Sequence, residues 1–159
     1  MTGRPDEQHA RTLAIPRLAL VLLVGPSGCG KSTFARRHFK ATEVVSSDAC
    51  RAMVADDEAD QSASGAAFEV LHLIVEKRLS RARLTVVDAT MLGPTARQPL
   101  LRIARRCHVP VIAIVLAPPL EECLANNRAR SARVVAEEVV VRQYALLDET
   151  VAALSREDV

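Results

Sequence analysis

The sequence is poor in aromatic residues. It has no Trp, one Tyr and three Phe, so aromatic residues make up only 3% of its 159 positions. Proteins that bind single-stranded nucleic acid without sequence preference stack successive bases on several aromatic side chains. The composition therefore argues against a broad base-stacking platform.

The sequence also lacks a strong charge imbalance, a metal-type cysteine pattern and a long apolar run. Its formal net charge is +2, so any contact with a polyanion would be local. The spacing of the four cysteines fits neither a zinc site nor a CxxC pair. No apolar run is long enough to span a membrane, and the N-terminus has no signal-peptide pattern. We therefore expect a cytoplasmic protein without a membrane partner.

What is present predicts one domain behind a short tail. Residues 1–16 are polar and unpatterned, so we expect a flexible N-terminal tail, with the domain at 17–159. Apolar runs predict buried strands at 18–24, 42–48, 84–88 and 109–117. Helical spacing predicts helices at 30–39, 65–83, 95–107, 119–128 and 136–155. The alternation predicts an α/β three-layer sandwich around a parallel sheet of four or five strands, from which a C-terminal edge strand is missing.

A glycine-rich segment between the first strand and the first helix fits G-x-x-x-x-G-K-[ST]. It consists of Gly25, Pro26, Ser27, Gly28, Cys29, Gly30, Lys31, Ser32 and Thr33. Glycines let consecutive N–H groups point inward, and the helix presents its positive end to phosphates. In such a loop the lysine reaches the β- and γ-phosphates and the following hydroxyl binds Mg²⁺. The segment therefore predicts a site for a nucleoside triphosphate; the alternative is a purely structural strand–helix turn.

Two carboxylates follow other strands of the predicted sheet. Asp48 comes after the second strand and Asp88 ends the third. Ligands gather at the carboxyl ends of parallel strands, so both side chains should lie near the phosphates. Asp48 is placed to act as a base on an attacking hydroxyl, and Asp88 to hold a Mg²⁺-bound water. For either residue the alternative is a helix cap or a turn.

Arginines supply candidate phosphate contacts. Arg51 lies one helical turn beyond Asp48 and should share its face, where a guanidinium suits an acceptor phosphate. The segment 126–135 carries three arginines between two helices and predicts a lid that closes over the transferring phosphoryl group. The alternatives are a solvated helix arginine and an ordinary basic loop.

Several blocks together resemble the kinase domain of bacterial polynucleotide kinase-phosphatase. They are VGPSGCGKSTFARRHF, TEVVSSDACR, DDEADQSASGAAFEVLH, KRL, LTVVDAT and AR-x-PL, in order from about residue 18. The resemblance implies a fold like that of nucleoside monophosphate kinases. It also implies transfer of the γ-phosphate of ATP, GTP or another NTP to the 5′-OH of RNA or DNA.

The same resemblance implies roles for individual residues. Lys31 and Ser32 would serve the NTP and Mg²⁺, and Asp48 would be the general base. Arg51 would contact the acceptor's terminal phosphate. Arg130 would be the lid arginine on the NTP phosphates, with Arg133 nearby.

The chain departs from the family pattern at two positions. Asn126 and Asn127 stand where the family lid usually opens with Arg-Asn, and Met91 stands where the family often has Asn. Family members carry phosphatase and ligase domains downstream and act in RNA repair with an RNA methyltransferase.

Three functions remain open from the sequence. They are a polynucleotide 5′-hydroxyl kinase, a small-molecule P-loop kinase, and a nucleotide-binding module without catalysis. The sequence does not decide between RNA and DNA, between ATP and GTP, or between oligomeric states.

Overall fold

A parallel four-stranded sheet forms the centre of the described chain, which comprises residues 12–157 and 159 in this computed structural model. Its strands are β1 (Leu20–Val24), β2 (Val44–Ser46), β3 (Thr85–Asp88) and β4 (Val111–Val115). Their order across the sheet is β2-β3-β1-β4, and every pair is parallel. The predicted α/β class with a central parallel sheet is confirmed.

Seven α-helices connect and follow the strands in the described chain. They are α1 (Lys31–His38), α2 (Ser47–Ala55), α3 (Ser64–Ser80), α4 (Pro94–Arg106), α5 (Leu120–Arg128), α6 (Glu137–Ala145) and α7 (Leu147–Leu154).

The sheet is covered on both faces because its central strand is apolar throughout. Leu20, Leu22 and Val24 of β1 belong to a core cluster with buried residues of α3, α4 and α7. Val21 and Leu23 point to the opposite side and cluster with Ala35 of α1. A strand with both faces buried reads as a continuous apolar run, which is why β1 was predictable.

The strand register fixes what meets at the carboxyl edge of the sheet. Asp88 is opposite Leu23 of β1 on one side and Ser46 of β2 on the other. The glycine-rich loop begins directly after β1, and α2 begins directly after β2. Asp88 therefore lies between the two segments that carry the other candidate residues.

The prediction of one long C-terminal helix over 136–155 is wrong. The helix is interrupted at Leu146, between α6 and α7, and Leu146 and Val151 are 44% and 47% exposed. Thr150 of α7 is buried, and its hydroxyl lies within hydrogen-bond distance of the carbonyls of Leu146 and Leu92, at 2.7 and 2.9 Å.

The predicted tail is described only in part, since residues 1–11 lie outside the described residues. Residues 12–16 have no helix or strand, and Ile15 packs against the cluster beneath α1. In the part of the chain that the structure describes, no helix combines the length and apolarity needed to cross a membrane.

A fully buried arginine joins the loop after β3 to the end of the chain. Arg97 of α4 is 0% exposed, and its NH1 donates to the carbonyls of Met91 and Leu92, both at 2.7 Å. Its Nε and NH2 donate to the two carboxylate oxygens of Glu157 at 2.9 and 2.7 Å. A buried charge needs such partners, because an unpaired one would be strongly unfavourable.

Replacing Glu157 should therefore destabilise the fold. In Glu157→Ala, the charge of Arg97 keeps its burial but loses its carboxylate, which costs about 3–5 kcal/mol of unfolding free energy. Urea unfolding followed by circular dichroism measures the change. Glu149→Ala, at an exposed position of α7, is the control and should change stability little; equal stabilities for the two variants would contradict the assignment.

Candidate active site

The glycine-rich loop adopts a conformation that requires glycine at two positions. Gly28 and Gly30 have φ angles of +82° and +96°, in the left-handed region that other residues rarely adopt. A Cβ on Gly28 would also lie 2.1 Å from the carbonyl oxygen of Cys123 in α5. The loop is thus packed directly against α5.

Two side chains from distant helices hold this loop in place. The Nδ2 of Asn126 in α5 donates to the carbonyl of Gly28 at 3.0 Å. The Oε1 of Gln143 in α6 accepts from the backbone N–H of Ser27 at 2.8 Å. The sequence analysis treated Asn126 only as a departure from the family pattern and assigned no role to Gln143, which lies within the predicted helix over 136–155.

Lys31, the first residue of α1, is folded against the loop. Its Nζ donates to the carbonyls of Gly25 and Pro26 at 2.8 and 2.9 Å and lies 3.6 Å from Cys29 Sγ. Burial lowers the pKa of Lys31 from its usual 10.5; the nearby Cys29 and Asp88 oppose this, while Arg130 adds to the lowering. The ammonium group thus lies close to both a carboxylate and a lid arginine.

Asp48 lies in the first turn of α2, shortly after the second strand ends. The helix begins at Ser47 because Ser46 caps it, its hydroxyl accepting from the N–H of Ala49 at 3.3 Å. The positive end of the helix favours a carboxylate at this position. Asp48 Oδ1 accepts from Arg51 NH1 at 2.7 Å and from Arg133 NH1 at 2.6 Å.

Arg51 shares the face of Asp48, as its spacing predicts, but it is 4% exposed. Besides Asp48, it donates from NH1 to the carbonyl of Glu58 at 2.8 Å and from Nε to Ser64 Oγ at 3.3 Å. These contacts join α2 to α3 and place Arg51 behind Asp48, outside the wall of the cleft.

The predicted lid is a loop closed at its base by Asn127. This residue is fully buried; its Nδ2 donates to the carbonyl of Val135 at 2.6 Å, and its Oδ1 accepts from the N–H of Val135 at 3.0 Å. Arg128 pairs with Glu137 at 2.6 Å, outside the cleft wall. Arg130 and Arg133 line the cleft, and the guanidinium of Arg130 has no hydrogen-bond or ion-pair partner among the described residues.

One cleft of about 1290 Å³ brings most predicted site residues together. Its wall includes residues 28–33 of the glycine-rich loop, both predicted carboxylates and both lid arginines. Arg51 and residues 25–27 lie behind this wall. The side chains that can contact phosphates and the carboxylate that can accept a proton therefore face the same space.

Met91 follows the third strand in a strained conformation. Its φ is +53° and its side chain is 2% exposed. Asn tolerates this left-handed region better than most residues, so Met91 is a less favourable residue for this φ. Here burial of the methionine and the bond from Arg97 to its carbonyl hold the conformation.

Comparison with known proteins identifies a family. The family model described as an AAA domain matches residues 20–153, from β1 almost to the end of α7. No curated protein matches the chain.

Solved structures share the fold. A chain of the Pnkp1/Rnl/Hen1 RNA repair complex superimposes with a TM-score of 0.72 at 19% identity, covering 94% of this chain and 49% of that one. APS kinase CysC of Mycobacterium tuberculosis, in complex with AMPPNP and APS, gives 0.56 at 19% identity, covering 72% and 71%. Shikimate kinase from Acinetobacter baumannii, in complex with shikimate, gives 0.54 at 18% identity, covering 86% and 79%. The fold is that of P-loop kinases.

This chain is shorter than several of the proteins it resembles. It spans 49%, 43% and 51% of the length of the first three structures that match it.

The close packing at Gly28 gives a direct test of the loop. Gly28→Ala introduces a Cβ into the backbone of α5 at a positive φ, so we expect loss of nucleotide binding and a lower melting temperature. Binding of a fluorescent ATP analogue and thermal unfolding measure the two effects.

Gly65→Ala is the matched control, because a Cβ there meets no atom within 4 Å. In the first turn of α3 it should leave nucleotide binding unchanged and stabilise the protein by up to about 1 kcal/mol. Unchanged binding in Gly28→Ala would contradict the assigned packing.

Proposed function

The chain belongs to the AAA domain family, and from that premise we propose that it is a polynucleotide 5′-hydroxyl kinase. It would transfer the γ-phosphoryl group of ATP or another nucleoside triphosphate to the 5′-OH end of RNA or DNA.

The observation that carries the proposal is the position of Asp48. Its carboxylate lines the same cleft as the glycine-rich loop and Arg130, and no described residue hydrogen-bonds its Oδ2. A module that only stored nucleotide would need the loop but no carboxylate facing it.

These positions support the following reaction. The acceptor hydroxyl gives its proton to Asp48 Oδ2 while its oxygen forms a bond to the γ-phosphorus. The bond from that phosphorus to the β-phosphate oxygen breaks, and the electron pair leaves on the nucleoside diphosphate. Lys31 and Arg130 stabilise the charge on the transferring group, since phosphoryl transfer depends mainly on positioning and electrostatics.

The oxygen donors of the cleft fit a magnesium ion. Asp88 is 8% exposed, its carboxylate has no hydrogen-bond or ion-pair partner among the described residues, and the Ser32 hydroxyl is on the same cleft wall. The described residues contain no cluster of three or more His, Cys, Asp or Glu that could hold a metal. Mg²⁺ suits such a sparse set because it is usually held by one or two carboxylates, waters and substrate phosphates. When bound, it would neutralise charge on the β- and γ-phosphates.

Two findings support a polynucleotide acceptor. The motif blocks resemble a polynucleotide kinase domain, and a chain of an RNA repair complex superimposes with a TM-score of 0.72. We extend the proposal to RNA repair beside partner domains. The contact of Arg51 with an acceptor phosphate stays a prediction. The NH2 of Arg51 has no partner among the described residues and could make that contact.

A small-molecule acceptor is the second candidate. Two kinases of small molecules share the fold and are matched over 71% and 79% of their own length. Labelled ATP, incubated with a 5′-OH oligonucleotide or with a panel that includes APS and shikimate, distinguishes the two. Labelling of the panel alone would overturn the polynucleotide proposal.

Asp48→Asn tests the chemistry. The amide keeps the shape of the carboxylate but is a far weaker base, so phosphoryl transfer should fall by at least about 100-fold. The Kd for ATP, measured by calorimetry, should stay within about twofold. Asp148→Asn, at an exposed position of α7, should leave both unchanged. Retained transfer in Asp48→Asn would contradict the role of Asp48.

A further inference from the structure

Two arginines share one oxygen of Asp48. Arg51 NH1 and Arg133 NH1 both donate to Oδ1, at 2.7 and 2.6 Å. Oδ2 accepts from no described residue. The carboxylate is therefore held on one side and open on the other.

The two arginines differ in what holds them. The side chain of Arg51 is 5% exposed and is fixed by bonds to α2, α3 and the segment between them. The side chain of Arg133 is 23% exposed and comes from the loop that covers the cleft. Arg51 is thus a fixed partner of Asp48, whereas the contact of Arg133 depends on where the loop lies.

That loop also carries Arg130, three residues earlier. Arg130 is close enough to Lys31 to lower the pKa of its ammonium group, and it has no ion-pair partner among the described residues. Asn127 closes the loop at its base through two bonds to Val135. One short loop therefore presents one arginine to the phosphate side and one to the acceptor side.

We propose that Arg133 is a positioning residue for Asp48, so that placing the lid and orienting the base are a single coupled event. The inference rests on the proposed function. By holding Oδ1, Arg133 fixes the rotation of the carboxylate and leaves Oδ2 facing the acceptor hydroxyl. Arg133 then acts through Asp48 and not on the nucleotide, whereas the resemblance implies a place for Arg133 near the NTP phosphates.

Arg133→Ala is the first test. We expect kcat for a 5′-OH oligonucleotide to fall about 10- to 100-fold, the loss typical of a misplaced catalytic group, while the Kd for ATP stays within about twofold. Arg133→Lys keeps one donor and should recover part of the rate. Arg142→Ala, an exposed residue of α6 outside the cleft wall, is the control and should match the wild type.

A double-mutant cycle separates action through Asp48 from an independent effect. If Arg133 works through Asp48, adding Arg133→Ala to Asp48→Asn costs no further rate. Multiplied losses, or an ATP Kd that weakens as much as kcat falls, would overturn the proposal. A faster Arg133→Ala enzyme would also overturn it, because the contact would then be inhibitory.

Limited trypsin digestion adds a readout that needs no activity. Cleavage after Arg128 and Arg130 should accelerate in both Asp48→Ala and Arg133→Ala, since either change frees the lid, and unchanged cleavage would count against the coupling. A wild-type protein that labels no acceptor would refute the proposed function itself, and this inference with it. A labelling wild type with an unaffected Arg133→Ala variant would refute only the inference.

Discussion

The parallel register of β3 between β1 and β2 is the constraint on which the site depends. It places Asp88 opposite Leu23 and Ser46, so the loop after β1 and the helix after β2 start at the same edge. Asp48 lines the same cleft as the glycine-rich loop because α2 begins one residue after β2 ends. A shift of one residue in this pairing would move the side chains of the shifted strand to the opposite face of the sheet and separate the two halves of the cleft.

The fold could be predicted because its strands are continuous apolar runs. The glycine-rich loop could be predicted because its glycines and lysine have fixed spacing. The site's supporting bonds could not be predicted. Gln143 meets Ser27 across 116 residues, Asn126 meets Gly28 across 98, and Arg133 meets Asp48 across 85. Local periodicity contains no information on such pairs. The same limit applies to the break at Leu146, which the helical pattern over 136–155 did not predict.

The structure gives Asn126 a structural role that the comparison of its sequence position with the family did not suggest. Compared with the resembling family it is a lost lid arginine, yet its amide fixes α5 to the carbonyl of Gly28. The arginines of the predicted lid that line the cleft are Arg130, which lies near Lys31, and Arg133, which bonds to Asp48. A departure from a motif is thus better judged by the partner that the new side chain finds than by the residue it replaces.

The ion pair between Arg97 and Glu157 has a mechanical consequence. Glu157 follows α7, and Arg97 lies 60 residues earlier in the chain. Arg97 also bonds to the carbonyl of Met91, so the pair connects the segment after α7 to the turn after β3. That turn directly follows the strand ending in Asp88. A displacement of Glu157 would therefore be transmitted through the guanidinium of Arg97 to the turn that follows Asp88, a residue that lines the cleft, without unfolding of a helix.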